Sequence, residues 1–126
     1  MEEKTQFNIT AVIPAFSDIK IVNNSVLALA TQWIPDDTFE LEIIIVNDNA
    51  NKHGEYDYYL SDEFKHVLKP NITIKIIENL NNSGQGESRN YGIKAAKNNW
   101  ILLCDEDDSY ACNAVYRFWE ILKKRA

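Results

Sequence analysis

Residues 105–108 are four consecutive acids, and they follow a short apolar segment at residues 100–104. The apolar segment predicts a strand buried on both faces, as in a parallel sheet covered by helices. The strand should end near Asp105, because Asp disfavours strands and neighbouring like charges repel one another. Acids beyond the carboxyl end of a parallel strand lie in the ligand crevice of open α/β sheets, where they suit Mg²⁺ or Mn²⁺ shared with phosphates. The alternative is a solvated acidic turn that caps the next helix.

A glycine-bearing loop and a helix of small residues precede this strand. From Asn82 to Gly92 the chain reads N-x-G-x-x-x-S-R-N-x-G, and Ser88, Gly92, Ala95 and Ala96 fall on one face of the helix. Small side chains on that face predict close packing of the helix against the sheet. By themselves, the glycines are equally typical of turns.

The rest of the chain alternates between strands and helices. Four strands are predicted, at residues 7–14, 41–46, 72–77 and 100–104. Helical spacing predicts core contacts from Val22, Val26, Leu29 and Trp33 in the first helix, from Tyr59, Phe64, Val67 and Leu68 within a helix at 55–68, and from Val115, Phe118, Trp119 and Leu122 in the last. This alternation predicts a Rossmann-like, three-layer α/β/α fold with a mostly parallel sheet in the order 3-2-1-4. Phe16, Asp48 and Asp107 would then face one crevice.

Length and charge exclude several classes of protein. The chain has 126 residues, which is one domain, and its net charge of −6 argues against a nucleic-acid partner. Two cysteines, Cys104 and Cys112, do not make a disulfide framework, and we expect both to be reduced in a cytoplasmic protein. The N-terminal MEEKTQFN lacks the features of a signal peptide, and no apolar run has the length of a transmembrane helix.

Together these motifs resemble the nucleotide-sugar-binding half of family 2 glycosyltransferases of the GT-A fold. In that family the loop and helix read roughly N-x-G-x-x-x-A-R-N-x-G, then an apolar strand and D-x-D-D follow, and this chain departs there only by Ser88. AVIPAFSD resembles the family's opening strand, V-I-I-P-x-Y-N. IIIVNDNAN resembles its second strand, I-V-V-D-D-x-S, with Asn47 and Ala50 in place of an acid and a serine.

The resemblance implies a function and a set of site residues. It implies transfer of a hexosyl group, with inversion, from a nucleoside diphosphate sugar, by default a UDP-sugar, to a saccharide, lipid or protein acceptor. Phe16 would lie against the base, Asp48 would hydrogen-bond it, and Arg89 would either hold the acidic loop or approach the diphosphate. The implied nucleotide-binding residues are Pro14, Ala15, Phe16, Asp48, Gly84, Arg89, Asp105 and Glu106, and the implied ligands of Mn²⁺ or Mg²⁺ are Asp107 and Asp105.

Without the resemblance, two of these residues have simpler interpretations. Phe16 is then a core aromatic at a strand end, and Asp48 is a residue of an Asx turn.

The resemblance covers the N-terminal half of a usual catalytic domain. In the family the general base comes from the C-terminal half, and no Asp or Glu follows Glu120 here. We therefore expect residues 1–126 to be a single donor-binding domain without the acceptor half, with weak or no transfer alone and with an unknown catalytic base. Exposed apolar surface would favour a homodimer, and a partner would bring the protein to the membrane surface.

Two other classes of protein remain as alternatives. One is a non-catalytic nucleotide-sugar-binding or interaction module on the same fold. The other is a receiver-like signalling domain, which needs an acidic pair after strand 1 and an Asp after strand 3. Here those places hold Pro14-Ala15-Phe16 and Glu78-Asn79-Leu80, which do not fit a receiver domain.

Overall fold

Strands and helices alternate along the chain in the computed structural model, which describes residues 7–125. The strands are β1 (Ile9–Ala15), β2 (Leu41–Asn47), β3 (Ile72–Glu78) and β4 (Trp100–Leu103). The helices are α1 (Ile19–Ala30), α2 (Asp62–Lys65), α3 (Gln85–Ala95) and α4 (Ala114–Arg125), and two short 3₁₀ turns span Ala50–Lys52 and Asp57–Leu60. Most of the acidic N-terminal segment considered above lies outside the described residues.

The sheet has the order β3-β2-β1-β4 with every pair parallel, which confirms the predicted order 3-2-1-4. A receiver domain has the order 2-1-3-4-5 instead, so the sheet excludes that alternative. β1 pairs with β2 from Ile9 opposite Leu41 onward, and with β4 up to Val12 opposite Leu103. Continuing that register places the acidic residues beside the carboxyl end of β1.

The two faces of the sheet carry different helices. On one face, α1, α4 and the aromatic residues around α2 cover a core that includes Ala11 and Ile13 of β1. On the other face, Val12, Ile44 and Val46 pack under α3. This arrangement gives the predicted three layers, with β1 and β2 buried along their whole length.

Helix α3 lies very close to the sheet, as its small residues predict. Ser88 and Gly92 are its buried residues. A Cβ atom added to Gly92 would lie 2.4 Å from Cγ1 of Val12 and 3.3 Å from Cγ2 of Val46. Glycine is therefore required at position 92 by contact with the sheet rather than by backbone conformation.

The helix predicted at residues 55–68 is wrong. The chain there forms a 3₁₀ turn and the four-residue α2, because Ser61 ends the first and its hydroxyl accepts a hydrogen bond from the Phe64 N–H to begin the second. Tyr59 and Phe64 are buried and pack edge to face, as expected for core residues. Val67 is instead 67% exposed, so its predicted core contact is also wrong.

The predicted core contact of Trp33 is wrong for a related reason. Helix α1 ends at Ala30, so Trp33 lies beyond the helix and is 54% exposed. Its backbone N–H donates to the Cys112 carbonyl at 2.8 Å. Asp18 caps the other end of α1 by accepting a hydrogen bond from the Lys20 N–H.

Strand β4 is not buried on both faces, contrary to the prediction. Within residues 7–125 it is an edge strand whose one neighbour is β1, and Trp100 and Leu103 are 47% and 45% exposed. Trp100 lines an apolar groove with Phe118 and Ile121 of α4, and all three side chains are exposed. The Tyr110 hydroxyl donates to the Leu103 carbonyl at 2.6 Å, so this carbonyl at the carboxyl end of the strand already has a hydrogen-bond partner.

The acidic residues do not cap the last helix. α4 begins at Ala114, several residues after the acids, and the Val115 N–H donates to the side-chain carbonyl of the buried Gln32. Its last turn carries Lys123, Lys124 and Arg125. Among residues 7–125 there is no helix with both the length and the apolar character needed to cross a membrane.

Candidate nucleotide-sugar site

The carboxyl ends of β1 and β2 and the start of α3 enclose a small cavity of about 30 Å³. It is lined by Pro14, Ala15, Phe16, Asp48, Gln85, Ser88 and Glu106. Five of these seven residues belong to the predicted nucleotide-binding set. This cavity is far smaller than the roughly 300–1,000 Å³ of a typical small-molecule pocket, so a nucleotide base would lie against its mouth rather than inside.

The aromatic ring predicted to contact the base is available for that contact. Phe16 follows β1 directly and is 49% exposed, so it is not the core aromatic that its sequence context alone would favour. Its carbonyl accepts a hydrogen bond from the Asn49 side chain at 3.0 Å, and this bond ties the end of β1 to the end of β2.

Glu106 joins the acidic loop to the turn between β1 and α1. One carboxylate oxygen accepts from the Phe16 N–H at 2.7 Å and from the Ser17 N–H at 2.9 Å. The other accepts from the Ser17 hydroxyl at 2.6 Å. The predicted nucleotide-binding residue therefore uses its carboxylate within the protein.

Arg89 holds the acidic loop from the opposite side. Its guanidinium donates to Oδ1 of Asp105 at 2.8 Å, and both side chains are partly exposed. Arg89 was expected either to hold the acidic loop or to approach the diphosphate, and this contact corresponds to the first role. It also gives Asp105 a partner other than a metal ion.

Asp107 is the acid of the loop best suited to bind a cation. It is exposed, and within residues 7–125 its carboxylate makes no hydrogen bond or ion pair. No group of three or more His, Cys, Asp or Glu side chains converges as a metal cage in this part of the chain. Mg²⁺ is commonly held by one or two carboxylates together with substrate phosphates, and Asp107 with the remaining oxygen of Asp105 fits that kind of site.

Asp48 organises the loop between β3 and α3. Its Oδ1 accepts from the Ser83 N–H at 2.6 Å and from the Asn79 side chain at 3.0 Å. Its Oδ2 accepts from the Gly84 N–H at 2.8 Å. Gly84 precedes α3 with φ of 87°, a conformation that favours glycine. Direct contact of Asp48 with a base stays a prediction, and Oδ2 retains room for one more donor.

These hydrogen bonds make Asp48 a source of pH-dependent stability. Burial raises the pKa of its carboxyl, but hydrogen bonds from Ser83, Asn79 and Gly84 outweigh burial and leave the pKa below its ordinary value of 3.8. A depressed folded-state pKa adds stability above the unfolded-state pKa, and this stability is lost as the pH falls through the folded-state pKa.

We therefore expect Asp48→Asn to lower the free energy of unfolding by about 1.5–3 kcal/mol at pH 7, the usual range for hydrogen bonds to a charged group. The difference from the unmodified chain should begin to shrink below about pH 4, where the carboxyl of the unfolded chain takes up its proton, and it should disappear once the pH lies below the folded-state pKa of Asp48. Urea unfolding at pH 7 and pH 3 measures both quantities. Asp37→Asn, at an exposed position, is the control. Equal stability of the Asp48→Asn and unmodified chains at pH 7 would contradict the assignment.

Sequence reasoning missed several residues that shape the crevice. Gln85 and Ser88 line the cavity, and Ser17 and Asn79 hold Glu106 and Asp48. Asn79 had a usable signal, since it is a polar residue at the carboxyl end of a strand next to β2. Gly84, Arg89, Asp105 and Asp107 lie outside the cavity lining, around the two loops that border it.

The parallel 3-2-1-4 sheet, with its acidic loop after β4, is the nucleotide-sugar-binding half of a GT-A fold, and solved glycosyltransferases share it. Staphylococcus aureus TarS 1-349 in complex with UDP-GlcNAc matches with a TM-score of 0.73 at 20% identity, over 93% of this chain and 31% of that one. The mannosyltransferase PcManGT from Pyrobaculum calidifontis, in complex with GDP-Man and Mn²⁺, matches with a TM-score of 0.58 at 15% identity, over 81% of this chain and 28% of that one.

The family follows from the sequence itself. The model of Glycosyl transferase family 2 matches residues 10–126, and the chain belongs to that family. A poly(ribitol-phosphate) beta-glucosyltransferase of Bacillus spizizenii is 28% identical over 116 residues, which make up 92% of this chain and 17% of the relative. The glycosyltransferase YwdF of Bacillus subtilis, which is uncharacterized, is 39% identical over 69 residues, or 55% of this chain and 22% of the relative. The chain thus spans about a sixth to a fifth of these relatives.

Proposed function

We propose that this chain binds the donor of an inverting hexosyltransferase, a nucleoside diphosphate sugar with UDP as the default nucleotide. The observation that carries the proposal is that an exposed aromatic ring, Phe16, and a free carboxylate, Asp107, follow the carboxyl ends of neighbouring strands. Family membership and the structures of relatives bound to UDP-GlcNAc and to GDP-Man support it.

Each part of the donor has a counterpart in the crevice. The base lies against the Phe16 ring, over the cavity bordered by Pro14 and Ala15. Asp48 orders the loop that carries Gly84, and its Oδ2 accepts an N–H from the base. The diphosphate lies toward the acidic loop, where Arg89 offsets part of the negative charge contributed by Asp105.

Mn²⁺ or Mg²⁺ would be held by Asp107, with Asp105 as the second carboxylate. Such an ion neutralises the charge that develops on a departing diphosphate. Asp105 and Asp107 themselves would hold the ion at the end of β4, beside the crevice that would take the sugar. The acceptor, which is a saccharide, lipid or protein hydroxyl, and the general base stay unassigned. We place the protein in the cytoplasm, where its free thiols, Cys104 and Cys112, would persist.

Calorimetric titration of the purified chain with UDP and then GDP, each with and without Mn²⁺, tests the proposal. We expect saturable binding of one nucleotide that strengthens with Mn²⁺, because the metal bridges the acids and the diphosphate. No binding of either nucleotide in the presence of Mn²⁺ would contradict it. Incubation of the chain with a nucleotide sugar and an alcohol acceptor then separates transfer from binding alone.

A further inference from the structure

Glu106 is the most firmly held acid of the acidic loop, although it stands between the two residues suited to bind a metal. Its carboxylate accepts three hydrogen bonds from the β1–α1 turn, and its own backbone carbonyl accepts another from the buried Ser25 hydroxyl at 3.0 Å. Side chain and main chain are therefore both fixed to the first β-α unit.

The turn that receives Glu106 is itself braced. The Tyr56 hydroxyl donates to the Ser17 carbonyl, and burial, followed by the nearby charge of Glu106, raises the pKa of that hydroxyl. Tyr56 is fully buried, so this contact is part of the core. The turn whose atoms bind Glu106 is thus held in place by a hydrogen bond from the core.

Glu106 connects two residues of the proposed donor site. Phe16 donates its N–H to Glu106 and presents its ring to the crevice, whereas Asp107 is covalently attached to Glu106 and has a free carboxylate. One side chain therefore ties the backbone that carries the ring suited to stack on a base to the backbone that carries the acid suited to meet the diphosphate.

We propose that Glu106 is a positioning residue, which sets Asp107 relative to Phe16 so that base and metal-bound diphosphate are held together. This inference rests on the proposed function, because it assigns Glu106 a role in the same donor site. It differs from the role implied by the family resemblance, in which Glu106 contacts the nucleotide itself.

The test compares E106A with E106Q by titration with UDP in the presence of Mn²⁺, or with GDP if the unmodified chain prefers it. We expect E106A to weaken nucleotide binding about tenfold and to raise the Mn²⁺ concentration needed for half-saturation, as removal of a residue that orients metal ligands typically does. E106Q should stay within about threefold, because its amide oxygen still accepts from the two N–H groups and Ser17 can reverse its hydroxyl. Glu87→Ala removes an equal charge at an exposed position and is the control.

Ser17→Ala provides a milder variant that removes a single hydrogen bond to Glu106. If the two residues act through that bond, the effects of Ser17→Ala and E106A on binding will be less than additive in the double variant. Amide hydrogen exchange supplies a readout without ligand: the Phe16 and Ser17 amides should exchange faster in E106A and remain slow in E106Q.

The outcomes distinguish the two proposals. If the unmodified chain shows no Mn²⁺-dependent binding of UDP or GDP, the proposed function fails and the role of Glu106 fails with it. If the unmodified chain binds and E106A binds equally well, only the role of Glu106 is overturned. E106Q as weak as E106A would also overturn it, because charge rather than hydrogen bonding would then be responsible.

Discussion

Asp107→Ala is expected to remove Mn²⁺-dependent nucleotide binding while leaving the fold unchanged. The side chain is exposed and bonds to no other residue within the described chain, so its loss costs no packing. Affinity should fall about 100-fold or more, since even residues that only support metal ligands change affinity by roughly 10- to 100-fold. Titration with nucleotide and Mn²⁺, together with the thermal midpoint of the free chain, measures both effects.

Asp108→Ala is the matched control for that experiment. It removes the same charge from the next residue, which is also exposed and bonds to the described residues through its backbone N–H alone. We expect its affinity to stay within about threefold of the unmodified chain, because an exposed carboxylate that is not a ligand acts on the ion only through water, where such charge interactions are worth about 0–1 kcal/mol. Equal losses from both variants would show that Mn²⁺ responds to the charge of the loop and not to a ligand at position 107.

Gly92→Ala is expected to be the most damaging single methyl addition in the described chain. The new Cβ would lie 2.4 Å from a buried Val12 atom, far inside contact distance, so α3 must move away from the sheet. Overpacking of a close-packed core typically costs about 1–3 kcal/mol, and the contact with Val46 on the second strand places this substitution at the upper end. Urea unfolding measures the loss.

Gly86→Ala in the same helix is the control, and it should raise the free energy of unfolding instead of lowering it. Apart from its chain neighbours and the backbone of its own helix, no atom of the described residues lies within 4 Å of the Cβ that would be added there. We expect a gain of about 0.5–1 kcal/mol, because alanine restricts the unfolded chain and favours helix. If Gly92→Ala were as stable as Gly86→Ala, the close contact between α3 and β1 would be refuted.

The architecture could be predicted because its signals are local. Apolar strands ended by turn residues and separated by helical spacing led to the observed sheet order, and the small face of α3 predicted its close contact at Gly92. The prediction of one helix around Tyr59 and Phe64 was wrong because the spacing of buried aromatic residues is similar in a broken helix and in a continuous one. The spacing does not show that the Ser61 hydroxyl accepts a hydrogen bond from the Phe64 N–H and so begins α2 as a separate helix.

The sequence predicted one crevice for Phe16, Asp48 and Asp107. Phe16 and Asp48 line one cavity together with Glu106, whereas Asp107 lies outside its lining, and the binding roles of these residues stay predictions. The partners of Glu106 depend on the register between β1 and β4, which no local pattern reveals. Likewise, the exposure of Trp100 and Leu103 depends on the absence of a strand beyond β4 among the described residues. Apolar composition alone cannot distinguish an edge strand from a central one.

The register of β1 also has a consequence for synthesis on the ribosome. Ile9 pairs with Leu41 on one side and with Trp100 on the other, so β1 can acquire its first neighbour long before its second has been translated. Closing the longer loop costs more chain entropy and makes this pairing the slower step. The N–H groups of Phe16 and Ser17 therefore lack their Glu106 partner until late, and the nascent chain can complete this crevice only after β4 and the acidic loop have emerged.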